Sequence, residues 1–251
     1  MAIKEFKDQV LGTTEKMLPH FLIREMDALI KLQDHPNIVQ LLEIFRPQDE
    51  GSNGLILVFE FLEQGELGSH IKTFKKQGMP ISLVLDYTEQ ILEGLHYIHS
   101  NGFLHRDLKP GNILLGDIES AKLDSKRVVK IADFGLARQR PFPSRTMSKE
   151  IQTLQYRAPE IMLGNLNYAS PVDCWSVGVI VFEMLTGQKM FHVCSEIEFV
   201  IELIKLKGTP TRWTLSSHGK FSNLVKMEQL MPKISEPVGL SQFKDKLPYG
   251  F

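Results

Sequence analysis

Short apolar runs dominate the early part of the chain, and apolar residues at helical spacing dominate the later part. Residues 38–45 and 55–61 predict two β-strands around a loop, and residues 128–132 predict a further short buried strand. Before these strands, one helical stripe ends where proline and asparagine favour a turn; its members are Leu22, Met26, Leu29 and Ile30. The pattern therefore predicts a small strand-rich lobe and a larger helical lobe.

Three later segments have the periodicity of α-helices. From Ile81, apolar positions recur at helical spacing up to a stop signal at Asn101-Gly102, which predicts a long helix. A second helix is predicted to begin at Pro171 behind a serine N-cap. Because that helix is apolar nearly all round, we expect it to lie centrally. Ser195 and Glu198 form a capping-box pattern that opens a third helix.

Composition narrows the class of protein. The chain has 251 residues, of which 43% are hydrophobic and 24% charged, as in a globular protein with one large domain or two lobes. Its net charge of -1 provides no basic surface, so neither nucleic acid nor a membrane is expected as a partner. The charged N-terminus predicts a soluble, intracellular protein of the cytoplasm or nucleus. Cys174 and Cys194 are too few for a disulfide framework or a zinc site.

Three ordered motifs carry most of the chemical information. They are His105-Arg106-Asp107-Leu108-Lys109-Pro110-Gly111-Asn112, Asp133-Phe134-Gly135 and Ala158-Pro159-Glu160. In this order they resemble the catalytic domain of eukaryotic protein kinases, and the resemblance extends from Ala2 to about Pro210. More specifically, the chain resembles serine/threonine kinases of the cyclin-dependent kinase-like (CMGC) group.

The resemblance implies an α+β, bilobal protein kinase-like fold over residues 1–251. A small β-rich N-lobe with the hinge is expected in residues 1–62, a larger α-helical C-lobe in residues 63–207, and a poorly defined segment in residues 208–251. The family's glycine-rich loop precedes the position of Lys4, and its last helices follow the C-lobe. Both are therefore expected to be missing from this chain.

The first motif and Asp133 supply the groups that phosphoryl transfer needs, which are an orienting carboxylate, magnesium ligands and a cation. The resemblance implies that Asp107 orients the substrate hydroxyl, that Asn112 and Asp133 bind Mg2+, and that Lys109 faces the transferred phosphoryl group of ATP. A lysine at this position marks serine/threonine kinases in the family. The alternative is that the Asp-Asn loop only caps a helix.

Lys4 follows Ala2 and Ile3 in a sequence similar to the family's Val-Ala-Ile-Lys strand. The resemblance implies that Lys4 pairs with the α- and β-phosphates of ATP. Glu25 lies on the apolar face of its predicted helix, where an unpaired carboxylate is costly, so Lys4 is its expected partner. The alternative is a solvated lysine near the chain end and a glutamate at the edge of the stripe.

The segment around Phe59 resembles the strand that enters the hinge between the lobes, with Phe59 as gatekeeper. The backbone of Glu60 and Leu62 would bond the adenine edge, and Ala2 and Leu114 would cover its two faces. A simple core strand is compatible with this role. The resemblance also implies a stacked apolar spine, composed of Leu29, Leu41, His105 and Phe134.

The spacing between Gly135 and Ala158 resembles that of cyclin-dependent kinases and places Ser148 at their activating phosphorylation position, with Thr146 beside it. A phosphate there would be bound by converging guanidinium groups. The arginines that match are Arg24, Arg106 and Arg138. The resemblance thus implies an upstream activating kinase, and a cyclin-like subunit only by analogy. The alternative is an unmodified serine and three solvated arginines.

Residues around the third motif concern the protein substrate and the scaffold. Thr153 and Arg157 would shape the substrate groove, while Gln155 replaces the tryptophan usual in close relatives. Glu160 would pair with an arginine of the family's C-terminal helices. Asp173 would hold the catalytic loop through backbone hydrogen bonds; alternatively, it is an ordinary helix-start carboxylate.

These residues predict an ATP- and magnesium-dependent protein serine/threonine kinase that acts on protein hydroxyls. The alternative is a catalytically impaired kinase-like binding scaffold or an inactive fragment.

Overall fold

The computed structural model describes residues 1–6, 20–46, 54–117, 127–139, 153–162, 168–209, 239–243 and 247. Contacts between Cα atoms divide the chain into two compact units. Unit 1 comprises residues 1–70, 86–105 and 110–140, and unit 2 comprises residues 71–85, 106–109 and 141–251.

The strands of the described residues all lie in unit 1, and beyond residue 140 the described elements are helices. The strands are β1 (Ala2–Phe6), β2 (Leu41–Phe45), β3 (Leu55–Phe59), β4 (Gly65–Glu66), β5 (Phe103–Leu104), β6 (Ile113–Asp117), β7 (Arg127–Ile131) and β8 (Arg138–Gln139). The α-helices are α1 (His20–Lys31), α2 (Leu67–Thr73), α3 (Ile81–Ser100), α4 (Pro159–Met162), α5 (Pro171–Thr186) and α6 (Glu196–Lys207). The α+β fold class is therefore confirmed.

The first sheet of unit 1 has the antiparallel order β1-β3-β2. Because side chains alternate along a strand, Lys4 lies on the same face of β1 as the buried Phe6, while Ile3 and Glu5 are exposed. Lys4 stands opposite Leu57 of β3. The pairing of β1 with β3 thus fixes the position of Lys4 along the sheet.

A second sheet has the order β4-β6-β7, and the segment after α1 runs along the free edge of β7. The Val39 N–H donates to the Ile131 carbonyl (3.0 Å), and the Ile131 N–H donates to the Asn37 carbonyl (2.9 Å). The Asn37 side-chain amide also donates to the Val129 carbonyl (2.9 Å). These main-chain bonds occupy residues 37–39, so the regular strand β2 begins at Leu41 and not at residue 38 as predicted.

Helix α1 buries a face that differs slightly from the predicted stripe. Leu22, Glu25 and Leu29 are buried, but Ile30 is 54% exposed. A helix turns by 100° per residue, so Ala28 lies on the buried face and Ile30 lies outside it; Leu32, directly after the helix, is buried again. The stripe was therefore right for Leu22 and Leu29 and wrong for Ile30.

The two capping predictions in unit 2 had different outcomes. Helix α6 is capped as predicted, because the Glu198 N–H donates to Ser195 Oγ (3.2 Å) and the Glu198 carboxylate accepts from the Cys194 N–H (2.8 Å). Helix α5 begins at Pro171, but Ser170 has helical dihedral angles and makes no side-chain capping bond. A proline at the first helical position lacks the N–H group, which leaves one fewer donor to cap.

Helix α5 ends at Gly187, whose φ of 63° lies in the left-handed region. A Cβ atom there would overlap the carbonyl oxygen of Lys75. Nearby, the Met79 N–H donates to the Met184 carbonyl (2.7 Å). The end of the central helix is thus packed directly against backbone of residues 75–79, and only glycine fits at this point.

We predict that Gly187→Ala lowers the free energy of unfolding by more than about 2 kcal/mol, because left-handed strain adds to a backbone overlap. The matched control is Gly102→Ala, which also has a left-handed φ (78°) but nothing within 4 Å of the new methyl group. The control should cost about 1 kcal/mol. Chemical denaturation of both variants measures the difference, and equal losses would contradict the proposed packing.

Candidate active site

Lys4 joins segments that lie far apart in the sequence of unit 1. Its ammonium group lies 2.6 Å from Glu25 Oε1 and 3.4 Å from Asp133 Oδ1. Strand β1 presents the lysine, helix α1 presents the glutamate from its buried face, and Asp133 follows β7. The structure therefore brings three of the predicted site residues together around one cation.

The Glu25 carboxylate is almost completely buried, with 2% of the residue exposed. Burial raises its pKa above the usual 4.5, the hydrogen bond and charge of Lys4 lower it, and the negative charge of Asp133 raises it again. The net direction is upward, because loss of solvation outweighs the ion pair. The Glu25 carboxylate is therefore a poorly solvated anion that depends on Lys4.

Asp133 has a backbone conformation that is unusual for a residue with a side chain. Its φ is 61°, in the left-handed region. The side chain is 48% exposed and accepts a long hydrogen bond from the Gly135 N–H (3.4 Å). A Cβ atom on Gly135 would lie 3.3 Å from Asp133 Oδ1, so glycine leaves this carboxylate room. Strain of this kind is concentrated at functional sites.

His105, Phe134 and Asn112 are buried around the same end of β7. His105 Nε2 lies 3.0 Å from the Ala132 carbonyl, which can only accept, so Nε2 carries the proton. The His105 ring meets Phe134 edge-on at 5.2 Å between centroids. The Asn112 carbonyl accepts from the Ala132 N–H (2.9 Å). These contacts fix the main chain on the N-terminal side of Asp133.

In unit 2 the Asp107 carboxylate accepts hydrogen bonds from Lys109 and Thr153. Lys109 Nζ lies 2.7 Å from Oδ2, while the Thr153 N–H (2.9 Å) and hydroxyl (3.0 Å) donate to Oδ1. Lys109 Nζ also donates to Thr153 Oγ1 (3.2 Å). Since both carboxylate oxygens are engaged, the orientation of Asp107 is fixed.

Arg106 also has a left-handed backbone, with φ of 70°. Its N–H donates to Asp173 Oδ1 (2.8 Å), and its guanidinium donates to the Tyr168 hydroxyl (2.9 Å). Asp173 is fully buried in the first turn of α5. The carboxylate thus bonds the main chain directly next to Asp107.

The predicted hinge follows β3. Phe59 is half-buried and pairs with both Ala2 and Leu41 in the first sheet. The Glu60 N–H donates to the Gln40 carbonyl (3.1 Å), and the Leu62 carbonyl accepts from the Gly65 N–H (3.2 Å). Those two groups are therefore engaged within the protein. Leu114, the other predicted adenine contact, is half-buried on β6 in unit 1.

A family model described as protein kinase domain matches residues 1–232. The chain belongs to the protein kinase family. Membership supports phosphoryl transfer to proteins as the activity, with protein substrates, and kinase domains generally use ATP and Mg2+. In the part of this kinase domain that the structure describes, no helix is both long and apolar enough to cross a membrane.

The predicted regulatory residues of the kinase domain are only partly described. Ser148 and Thr146 lie outside the described residues. Arg24 is exposed on α1, and β8, which carries Arg138, contacts that helix. Arg106 lies in unit 2 and is buried.

Of the residues assigned to the substrate side, Arg157 donates to Glu196 at the start of α6 (2.8 Å). The Gln155 side-chain amide donates to the Val193 carbonyl (3.3 Å). Glu160 is half-buried, and no ion pair to it is seen among the described residues. Both polar contacts connect the segment after Thr153 to the chain just before or within α6.

Sequence reasoning missed several residues that support the site. Tyr156 donates to the Glu183 carboxylate (2.6 Å), and burial together with this carboxylate raises the pKa of the tyrosine hydroxyl. Ser176 of α5 donates to the Tyr156 carbonyl (2.8 Å). Ser176 and Glu183 are polar residues in the otherwise apolar sequence of α5, and this was the signal that could have identified them.

We predict that ionisation of Glu25 contributes a loss of stability to the kinase domain as the pH rises from 4.5 toward the raised pKa of Glu25. Below 4.5 the carboxyl is protonated in both folded and unfolded states, whereas just above it the folded state holds the proton more tightly. The Glu25→Gln variant should lack this contribution to the pH dependence of the free energy of unfolding. The measurement is denaturant unfolding at a series of pH values, with the exposed Glu5→Gln as control. Parallel curves for wild type and Glu25→Gln would contradict the assignment.

Proposed function

We propose that this chain is a serine/threonine kinase of the cyclin-dependent kinase-like group, which transfers the γ-phosphate of ATP to a protein hydroxyl. The observation that carries the proposal is the contact of Lys4 with both Glu25 and Asp133. The Lys4 ammonium group can bind phosphate oxygens while the buried Glu25 carboxylate holds it in place. The Asp133 carboxylate is half-exposed, so a metal ion bound to a triphosphate can reach it.

On the nucleotide side, Lys4 would pair with the α- and β-phosphates while Glu25 fixes its position. Asn112 and Asp133 offer the hard oxygen ligands that Mg2+ prefers. Mg2+ commonly completes its coordination shell with phosphate oxygens and water, so two protein ligands would suffice. When bound, Mg2+ would neutralise the charge that builds up on the phosphates.

On the acceptor side, Asp107 would orient the substrate hydroxyl and receive its proton as the new oxygen–phosphorus bond forms and the bond to ADP breaks. Lys109 and Thr153 hold both oxygens of this carboxylate. Lys109 would also balance the charge of the transferred phosphoryl group. The lysine at this position supports serine or threonine as the acceptor residue.

Adenine would bind at the end of β3, with Phe59 as gatekeeper and with backbone groups of Glu60 and Leu62 along its edge. The Glu60 N–H already donates to Gln40, so the Glu60 carbonyl is the group we assign to the base. Ala2 and Leu114, both half-buried, would cover the two faces of the ring.

Regulation would proceed through phosphorylation of Ser148, with Thr146 beside it, by an upstream kinase. A phosphoserine carries nearly two negative charges and binds guanidinium groups strongly. Arg24, Arg106 and Arg138 are the proposed partners, and a cyclin-like subunit remains an analogy. Thr153 and Arg157 would border the substrate groove, where Gln155 makes the surface more polar than tryptophan would.

We expect Asp107→Asn to lower phosphate transfer to a generic basic protein by roughly 10²–10⁴-fold, because the amide cannot accept the hydroxyl proton. Binding of Mg-ATP, followed by thermal shift, should persist. The control is Asp27→Asn, which removes a half-exposed carboxylate of α1 that pairs with Lys31, and it should retain full transfer.

Wild type that binds nucleotide without transferring phosphate would instead favour the kinase-like scaffold. Wild type that neither binds nor transfers would indicate an inactive chain. Either result contradicts the proposal.

Phosphatase treatment should remove most of the activity, and Ser148→Ala should match the treated wild type, because the loop would lack the charge that binds the arginines. Kinetic assays before and after treatment, with mass spectrometry of the site, test this. Ser100→Ala, an exposed serine at the end of α3, is the control. Full activity of the Ser148→Ala variant would exclude this regulation.

A further inference from the structure

Glu60, whose carbonyl is the proposed adenine contact, forms an ion pair through its side chain. Lys130 Nζ lies 2.8 Å from Glu60 Oε1 and 2.9 Å from Oε2, so it contacts both oxygens of the carboxylate. The side chains are only 12% and 24% exposed for Lys130 and Glu60. Because the pair is partly buried, removal of one partner would leave the other charge poorly solvated and would therefore be costly.

Gln40 connects Glu60 to the loop that follows α1. Its N–H donates to Glu60 Oε1 (2.7 Å), and its carbonyl accepts from the Glu60 N–H (3.1 Å). Its side-chain amide donates to the carbonyls of His35 (3.2 Å) and Ile38 (2.9 Å) and accepts from the Asp34 N–H (3.1 Å). Gln40 therefore connects Glu60 to residues 34–38 of the loop.

The position of Lys130 gives the ion pair a direct connection to the site. Lys130 lies on β7 opposite Leu114, and Asp133 lies three positions further along the chain. Regular pairing of β3 ends at Phe59, so the Glu60 peptide is no longer held by a strand ladder. Instead, the Glu60 residue is bonded to Gln40 through its N–H and its carboxylate and to Lys130 through its carboxylate.

We propose that Lys130 is a positioning residue that sets the orientation of the Glu60 carbonyl toward adenine and so contributes to selection of ATP over GTP. This inference rests on the proposed function, since it presumes that adenine binds at the end of β3. Adenine offers an amino donor where guanine offers a carbonyl oxygen, so a well-oriented acceptor at Glu60 distinguishes the two bases. A mobile acceptor would distinguish them less.

The test compares kcat and KM for Mg-ATP and Mg-GTP in wild type and Lys130→Met. We expect KM for ATP to rise about fivefold with kcat within about twofold, and the ATP-to-GTP ratio of kcat/KM to fall by a similar factor. Lys130→Arg keeps the charge and should restore most of the ratio. Lys205→Met, which breaks an exposed pair with Glu202, is the control and should match wild type.

A loss of structure alone would lower kcat/KM for both nucleotides equally and leave their ratio unchanged, and this result would overturn the inference. If Lys130→Met does not fold, Glu60→Gln removes the same charge pair with almost no change in volume and must lower the ratio as well. If the wild type is active and the variants keep its ATP-to-GTP ratio of kcat/KM, the role of Lys130 is refuted but the proposed function is not. Wild type without ATP-dependent transfer refutes both the proposed function and this inference.

Discussion

The site in unit 1 depends on the neutralisation of one buried carboxylate. Glu25 faces the interior from α1, and burial there disfavours its charge strongly enough to raise its pKa despite a cation at 2.6 Å. Lys4 can serve as that cation because the pairing of β1 with β3 fixes its position along the sheet. The need to neutralise Glu25 thus brings together β1, α1 and the segment that carries Asp133.

Strand β7 has a comparable organising role through hydrogen bonds. Along it, Asn37 bonds the Val129 carbonyl and the Ile131 N–H, and Gln90 of α3 accepts from the Val129 N–H (2.8 Å). Lys130 then extends from the same strand to Glu60. Buried polar groups of this kind are stable only when all are paired, so β7 holds the Asp133 segment through partners on several elements.

Both residues with strained backbones in the motifs are held by several contacts. Arg106 is bonded through its N–H to Asp173 and through its guanidinium to Tyr168. Asp133 is bonded by Lys4 and the Gly135 N–H. A left-handed conformation in a residue with a side chain persists only where surrounding bonds determine it, and here the bonds lie beside the proposed catalytic groups.

The amino-acid sequence by itself determined the elements whose signals are local. Periodicity predicted α3, whose 20 residues match the expected span, and the capping box predicted the start of α6. The three motifs sufficed to place the chain in its family, because phosphoryl transfer requires particular residue types at particular spacings. Local signals were less reliable where the outcome depends on packing against other elements. Ile30 is exposed although it belongs to the predicted apolar stripe, and Ser170 makes no capping hydrogen bond.

Only the tertiary structure decided which polar groups meet. Nothing near Lys130 in the sequence indicates Glu60, and nothing near Asp107 indicates that Thr153 donates to it twice. Such pairs join residues separated by 70 and 46 positions, and their formation depends on how strands and helices pack. Periodicity is a property of one segment, whereas a hydrogen bond between distant segments depends on the positions of both, and these are set by the fold as a whole.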